Sequence, residues 1–167
     1  YSEIEPFNIS SLNEIGSYIS SYDSKIYLDL KVDMNIMNLY TSEGYIEHVI
    51  SDFIERFDLS ESQVIVISRN AYLLSILDGM NIQKIYESDD FEEQINSAIL
   101  YNFDGLLLKE WNYIESNIDK IKNENLIVGC THSGTYQGLV RSYNLAPDFI
   151  ILEDIKKIQK IRNYGKE

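Results

Sequence analysis

The 167-residue chain holds one cysteine, two histidines and two prolines, and its 14 lysines and arginines are outnumbered by 27 aspartates and glutamates. A single cysteine, Cys130, excludes an internal disulfide and any cysteine-rich zinc site. It sits in an apolar run, which marks it as packing rather than nucleophile. The net charge of −13 disfavours nonspecific contact with nucleic acid or an anionic membrane surface, both of which reward clustered basic residues. No apolar run approaches bilayer-spanning length, and the opening Tyr-Ser-Glu-Ile-Glu-Pro lacks a signal-peptide core, so a soluble chain is expected, cytoplasmic by preference. The first residue is not Met, which leaves open a processed protein, an excised domain or an incomplete chain. Glycine-rich phosphate loops are missing as well. Gly129, Gly134 and Gly138 fit neither the dinucleotide fingerprint nor a Walker loop, and no Gly-Lys-Ser/Thr occurs. Low-complexity tracts and Pro-rich linkers are absent, with Pro6 and Pro147 in expected loops, so no internal domain boundary is expected.

What the chain does have is a rhythm. Apolar runs of strand length recur at Ile26 to Leu30, Val64 to Ile67, Ile82 to Tyr86, Gly105 to Leu108, Leu126 to Cys130 and Phe149 to Leu152. Between them lie segments of helical spacing, clearest in Tyr45, Ile46, Val49, Ile50, Phe53, Ile54 and Phe57, which fall on one helix face. Further helices are expected at about 12–21, 71–78, 90–102, 112–122, 135–143 and 154–162. Alternation of this kind predicts parallel βα units. Ser11 with Glu14 and Asp89 with Glu92 have capping-box spacing, and Gly79 and Gly105 stand where a helix is expected to give way to a strand.

The chemistry concentrates where the strands end. Alternate residues of a strand share a face, so Tyr27, Asp29 and Lys31 point one way while Ile26, Leu28 and Leu30 point the other. A charged row on a short apolar strand fits a wet cleft, or else a structural pair at a sheet edge. The other strands also turn polar at their exits, giving Ser68 and Arg69, Glu87 and Ser88, Lys109 and Glu110, Thr131 and His132, Glu153 and Asp154. In barrels and open α/β sheets alike, this carboxyl-end rim is where ligands bind. His132 has no visible partner to fix its geometry, and His48 lies off the apolar face of its helix, so neither is read as catalytic. The 13 tyrosines are spread along the chain and form no base-stacking platform.

The order of these segments, from about Ile9 to Ile155, resembles the glycerophosphodiester phosphodiesterase family. Ser11-Leu12-Asn13-Glu14-Ile15 looks like the family's Thr-Leu-x-Glu helix start, and Leu28-Asp29-Leu30-Lys31 looks like its Ile-Glu-hydrophobic-Lys strand. Val64 to Ser68 is similar to the next strand, with Arg69 where the family usually has Phe. Leu126 to Ser133 keeps the Thr of a Trp-Thr-hydrophobic-Asn strand as Thr131, while Cys130 replaces the Trp and Ser133 the Asn. Ala146 to Glu153 resembles the last strand of the family.

The resemblance implies an α/β fold of TIM-barrel type, incomplete, with about six parallel βα units over one domain spanning 1–167. It implies Asp29 as a ligand of a divalent metal, calcium or magnesium, Lys31 as the catalytic phosphate-neutralising lysine, and Ser68, Arg69 and Thr131 as substrate-binding residues. The expected ligand is a glycerophosphodiester or another phosphorylated small molecule. The family's His-Arg-Gly strand and its second His-Asp strand do not occur in the sequence. The phosphoric diester hydrolase activity is therefore expected only together with such a segment, the chain alone being inactive. Two alternatives stand beside this reading: a noncatalytic ligand- or protein-binding domain derived from a barrel, and an open, doubly wound interaction module.

Overall fold

A computed structural model describes residues 25–31, 44–132 and 136–152. The helices expected at 12–21 and 154–162, the Ser11 and Glu14 pair, and the rim residues Glu153 and Asp154 lie outside the described residues.

Six parallel strands form one sheet whose spatial order equals their order in the chain. They are β1 (Ile26–Leu30), β2 (Val64–Ser68), β3 (Gln83–Glu87), β4 (Gly105–Lys109), β5 (Ile127–His132) and β6 (Phe149–Leu152). Five α-helices are described between them: α1 (Tyr45–Arg56), α2 (Ala71–Ser75), α3 (Phe91–Leu100), α4 (Glu115–Asn123) and α5 (Tyr136–Asn144). The run Val64-Ile65-Val66-Ile67-Ser68 is buried along its whole length, as a strand covered on both faces must be.

The sheet is curled into a half-barrel. The rings of Tyr27 and Phe149, on the first and last strands, have centroids 4.9 Å apart. A flat sheet holds such strands five spacings of about 4.8 Å apart, so only strong curvature toward the inner face brings them together. The incomplete TIM-barrel architecture expected from the sequence is thus observed, and the open doubly wound alternative is excluded.

Strand parity divides the core in two. Val64, Val66, Leu106, Leu108, Val128 and Cys130 face the helices and pack against residues such as Ile50, Leu73, Ile95 and Ile121. Ile65, Ile67, Ile85 and Leu107 face inward with Ile127 and Phe149. At Gly105, which pairs with Ile127, a Cβ would overlap the Ile127 carbonyl and the Ile85 side chain. At Gly129 it would overlap the Phe149 ring. These two glycines therefore serve close packing inside the curl. Gly105 opens β4 and is not a helix terminator, as its place in the sequence had suggested.

Helix termination is carried by other residues. Asp58, Asn102, Asn125 and Ala146 adopt left-handed φ values of 51°, 53°, 58° and 48°, each two residues past the end of its helix. The amides of Leu59, Phe103 and Leu126 then return to the carbonyls of Ile54, Ala98 and Ile121, closing Schellman motifs with an apolar residue that re-enters the core. At the starts, Asn70 caps α2 and Asp90 caps α3 by accepting from the amides of Leu73 and Glu93. The cap of α3 is therefore one residue later than the Asp89 and Glu92 spacing indicated. The segment expected as a helix over 71–78 ends at Ser75 and continues in tight turns, Leu77 bonding back to Leu74 and Met80 to Leu77. On α1 the buried stripe is Ile46 and Ile50, continued by Phe57 just past the helix end, while Tyr45 and Val49 at its margin are exposed.

Candidate functional site

The C-terminal ends of the strands open onto a cleft of about 1260 Å³. Its floor is the inner apolar layer, Ile67 and Leu107 with Phe149, and its wall carries the charged residues that follow on the same face. Parity explains the selection. Tyr27 and Asp29 line the cleft from β1, Lys31 from just beyond it, Arg69 from just beyond β2, Glu87 from β3, Lys109 from β4 and Thr131 from β5.

Ser68 does not join them. It lies between Ile67 and Arg69 on the opposite face, 1% exposed. Its hydroxyl donates to the Leu30 carbonyl at 3.0 Å and accepts from the Asn70 amide at 3.1 Å. Ser68 therefore ties β2 to β1 and shapes the turn into α2, and the expected contact with substrate is replaced by a structural one. Ser88, also read as a rim residue, turns to α3 and bonds Glu93. His132 ends β5, and its side chain lies outside the described set. His48 is exposed on α1.

The charges in the cleft are arranged as pairs. Lys31 lies 3.1 Å from Asp29, both well exposed. Arg69 pairs with Asp89, and this bond holds the guanidinium charged by raising its pKa further. Lys109 pairs with Glu87, and this is the least exposed of the three, with side chains 24% and 10% accessible. Thr131 donates a long 3.4 Å bond to the Leu108 carbonyl. Arg141 reaches in from α5 and donates to the Tyr113 carbonyl at 2.7 Å. Among the described residues four cations, Lys31, Arg69, Lys109 and Arg141, thus line the cleft against three acids, Asp29, Glu87 and Glu110, in a chain whose overall balance is strongly acidic.

That composition suits an anion better than a metal. Among the described residues no group of three or more His, Cys, Asp or Glu side chains could hold an ion. Asp29 and Glu87 are each taken up by a lysine, whereas a hard divalent cation gathers six or more oxygens. The described residues do not by themselves fit the calcium or magnesium site that the resemblance implies. Cys130 is likewise no nucleophile: it is buried, burial pushes its thiol up to about 11, and it faces Ser142 at 3.7 Å.

Sequence reasoning named Glu87 and Lys109 as strand exits but not as partners, and it missed Trp111 and Arg141. The Glu87 and Lys109 contact follows from register, since Glu87 stands beside Leu107 and Lys109 is two residues on along the same face. No comparable signal marks Arg141, which enters from a helix.

Fold and site together define a partial parallel (β/α) barrel with a charged cleft at its C-terminal face. Among solved structures the same fold occurs in glycerophosphodiester phosphodiesterases. A protein of Agrobacterium tumefaciens assigned as a glycerophosphoryl diester phosphodiesterase matches with a TM-score of 0.78 and 13% identity over 93% of this chain and 65% of its own. A phosphodiesterase of Oleispira antarctica, solved with its product sn-glycerol-3-phosphate, matches with a TM-score of 0.72 and 17% identity over 91% of this chain and 60% of its own. A glycerophosphodiester phosphodiesterase of Parabacteroides distasonis gives 0.69 and 13%, over 93% and 65%. The chain thus spans less than two thirds of each of these structures. No protein-family model matches the sequence, and no curated protein does. Among the described residues no helix is long and apolar enough to cross a membrane.

Proposed function

We propose that residues 1–167 form a single partial phosphodiesterase-like barrel that binds a glycerophosphodiester or a related phosphorylated small molecule in the cleft at its C-terminal face. The observation that carries this reading is the convergence of Asp29, Lys31, Arg69 and Thr131 on one cleft. Lys31 is 85% exposed at its side chain and neutralises a phosphoryl oxygen, with Asp29 3.1 Å away orienting the ammonium. Arg69 offers a planar fork of donors to the same group and Thr131 a hydroxyl. The Oleispira protein, which shares the fold and was solved with sn-glycerol-3-phosphate, supports a ligand of this chemistry.

Hydrolysis further requires an acid and a base within hydrogen-bond reach of the reacting oxygens. The family supplies two histidines, and no described histidine side chain lies in this cleft. Hydrolytic activity therefore belongs to the barrel only when a segment bearing such a pair completes it. The same observation favours, as a second reading, a domain that binds phosphorylated ligands without turning them over.

Titration calorimetry of the chain with sn-glycerol 3-phosphate tests the binding. Saturable binding that weakens about tenfold in Lys31→Ala is expected, one such charged hydrogen bond contributing on the order of 1.5 kcal/mol. Absence of binding, or binding indifferent to Lys31, overturns the reading. Release of glycerol phosphate from a glycerophosphodiester, followed with calcium or magnesium present, is expected to stay at background. Robust turnover by this chain contradicts the assignment of the acid and base to another segment.

A further inference from the structure

Glu87 is the last residue of β3, and its side chain lines the cleft in an ion pair with Lys109, the last residue of β4. The backbone beneath this pair is clamped. Glu87 stands beside Leu107 in the register, at the end of the ladder that joins the two strands. From α3 the buried side-chain amide of Gln94 donates to the Tyr86 carbonyl at 2.7 Å and to the Leu107 carbonyl at 3.0 Å, bonding both strands where their own pairing stops. Glu87 therefore enters the cleft from a fixed base, and its charge reaches past its partner. The pKa of Arg69 is raised first by the bond to Asp89, and the field of the Glu87 carboxylate adds to it. One acid thus binds one cation of the cleft and acts on a second.

We propose that Glu87 is an internal counter-anion that sets how much negative charge the cleft accepts: it withholds Lys109 from the phosphoryl group and penalises a doubly charged ligand more than a singly charged one. This rests on the phosphorylated-ligand reading above and adds to it a determinant of specificity. Among the described residues that line the cleft, Glu87 brings the excess of positive over negative side chains down to a single charge. Coulomb energy is proportional to the charge of the ligand. A fixed carboxylate acting over several ångströms of partly solvated cleft weakens a monoanion about threefold, and a dianion by the square of that, about tenfold. The pair is also too deep for Lys109 to turn freely to another partner, its side chain being 24% exposed and that of Glu87 10%. A purely structural pair makes a different statement, because its loss alters stability and leaves the dependence on ligand charge as it was.

Calorimetry on the full chain at about pH 8, where a phosphomonoester is a dianion, compares sn-glycerol 3-phosphate with glycerophosphoglycerol, a monoanionic diester. Glu87→Gln is expected to tighten the dianion about tenfold and the monoanion about threefold. Glu87→Asp, which keeps the charge, is expected to stay within about twofold of wild type for both. Joining Lys109→Met to Glu87→Gln is expected to abolish the gain, because the charge balance of the cleft is then that of wild type. No gain in Glu87→Gln, an equal gain for the two ligands, or a gain that survives the loss of Lys109 overturns the role of Glu87 and leaves the phosphate reading in place. If Glu87→Gln proves too unstable for calorimetry, its unfolding midpoint is read instead: sn-glycerol 3-phosphate is expected to raise it further than that of wild type, and an equal or smaller rise overturns the proposal. Failure of wild type and every variant to bind either ligand overturns the phosphate reading, and this inference with it.

Discussion

Glu87 and Lys109, on adjacent strands and facing the same cleft, form the least exposed ion pair among those lining it. Their neutrality is conditional on each other, because a charge at this depth is costly once its partner is gone. Lys109→Met is expected to destabilise the fold by about 2–3 kcal/mol, read from the midpoint of urea unfolding. Adding Glu87→Gln to it is expected to recover at least half of the loss. A single variant as stable as wild type contradicts the account of the pair.

A second expectation concerns Gly129, where any Cβ meets the Phe149 ring. Gly129→Ala is expected to cost about 1–3 kcal/mol through overpacking. Phe149→Leu in the same background makes room and is expected to restore part of it. Additive losses in the double variant would show that the two positions do not compete for space.

Asp104 and Asp148 occupy equivalent places, each immediately before its strand. The Asp104 carboxylate accepts the Lys84 amide and that of Asp148 the Val128 amide, both at 2.7 Å. Their own amides bond back to the same two residues at 2.9 and 2.8 Å. Removing either carboxylate strands an amide at the entry of a central strand. Asp104→Ala and Asp148→Ala are each expected to lose about 1–2 kcal/mol, and the loss in the double variant is expected to be close to the sum. Thermal unfolding of the four proteins decides this, and an unchanged midpoint in either single variant rejects it.

Stability is expected to decline on the alkaline side. Burial pushes the Cys130 thiol up to about 11 and, together with the bond to Glu93, the Tyr86 phenol up to about 12, and burial raises Tyr113 too. The unfolded chain releases these protons near their ordinary values of 9 and 10, whereas the folded chain keeps them. The unfolded state then binds fewer protons, so the contribution is complete below about pH 9 and is lost as pH climbs through the folded-state values. Unfolding midpoints measured from pH 7 to 11, with phenolate absorbance recorded alongside, are expected to hold level and then fall. A midpoint that is flat to pH 11 would contradict it.

The architecture was legible because two periodicities were clean. Runs such as Val64 to Ile67 and Leu106 to Leu108 have the length and composition of strands buried on both faces, and the four-residue recurrence on α1 separates them. Boundaries slipped where local signals compete: Asp89 and Asp90 both resemble caps, and after α3 it is Asn102, not Gly105, that takes the left-handed place ending the helix. The site was legible as far as parity reaches. Asp29, Lys31, Arg69 and Thr131 fall where alternation puts them, and the same alternation turns Ser68 away. Arg141 and Trp111 depend on how a helix and a turn dock on the sheet, which no single segment encodes.

Strand order that repeats chain order has a bearing on how the molecule comes into being. Each described strand hydrogen-bonds, among the described strands, only to the one made just before and the one made just after it, so no pairing among these six waits for a distant part of the sequence. Elongation can therefore add one βα unit at a time to a surface already in place, with short loop closures at each stage and few opportunities for wrong partners. The meeting of Tyr27 with Phe149 belongs to a different stage. It links the first described strand to the last and can form only once every intervening unit has added its share of curvature, which makes it a late event and a natural reporter that these six units have come together.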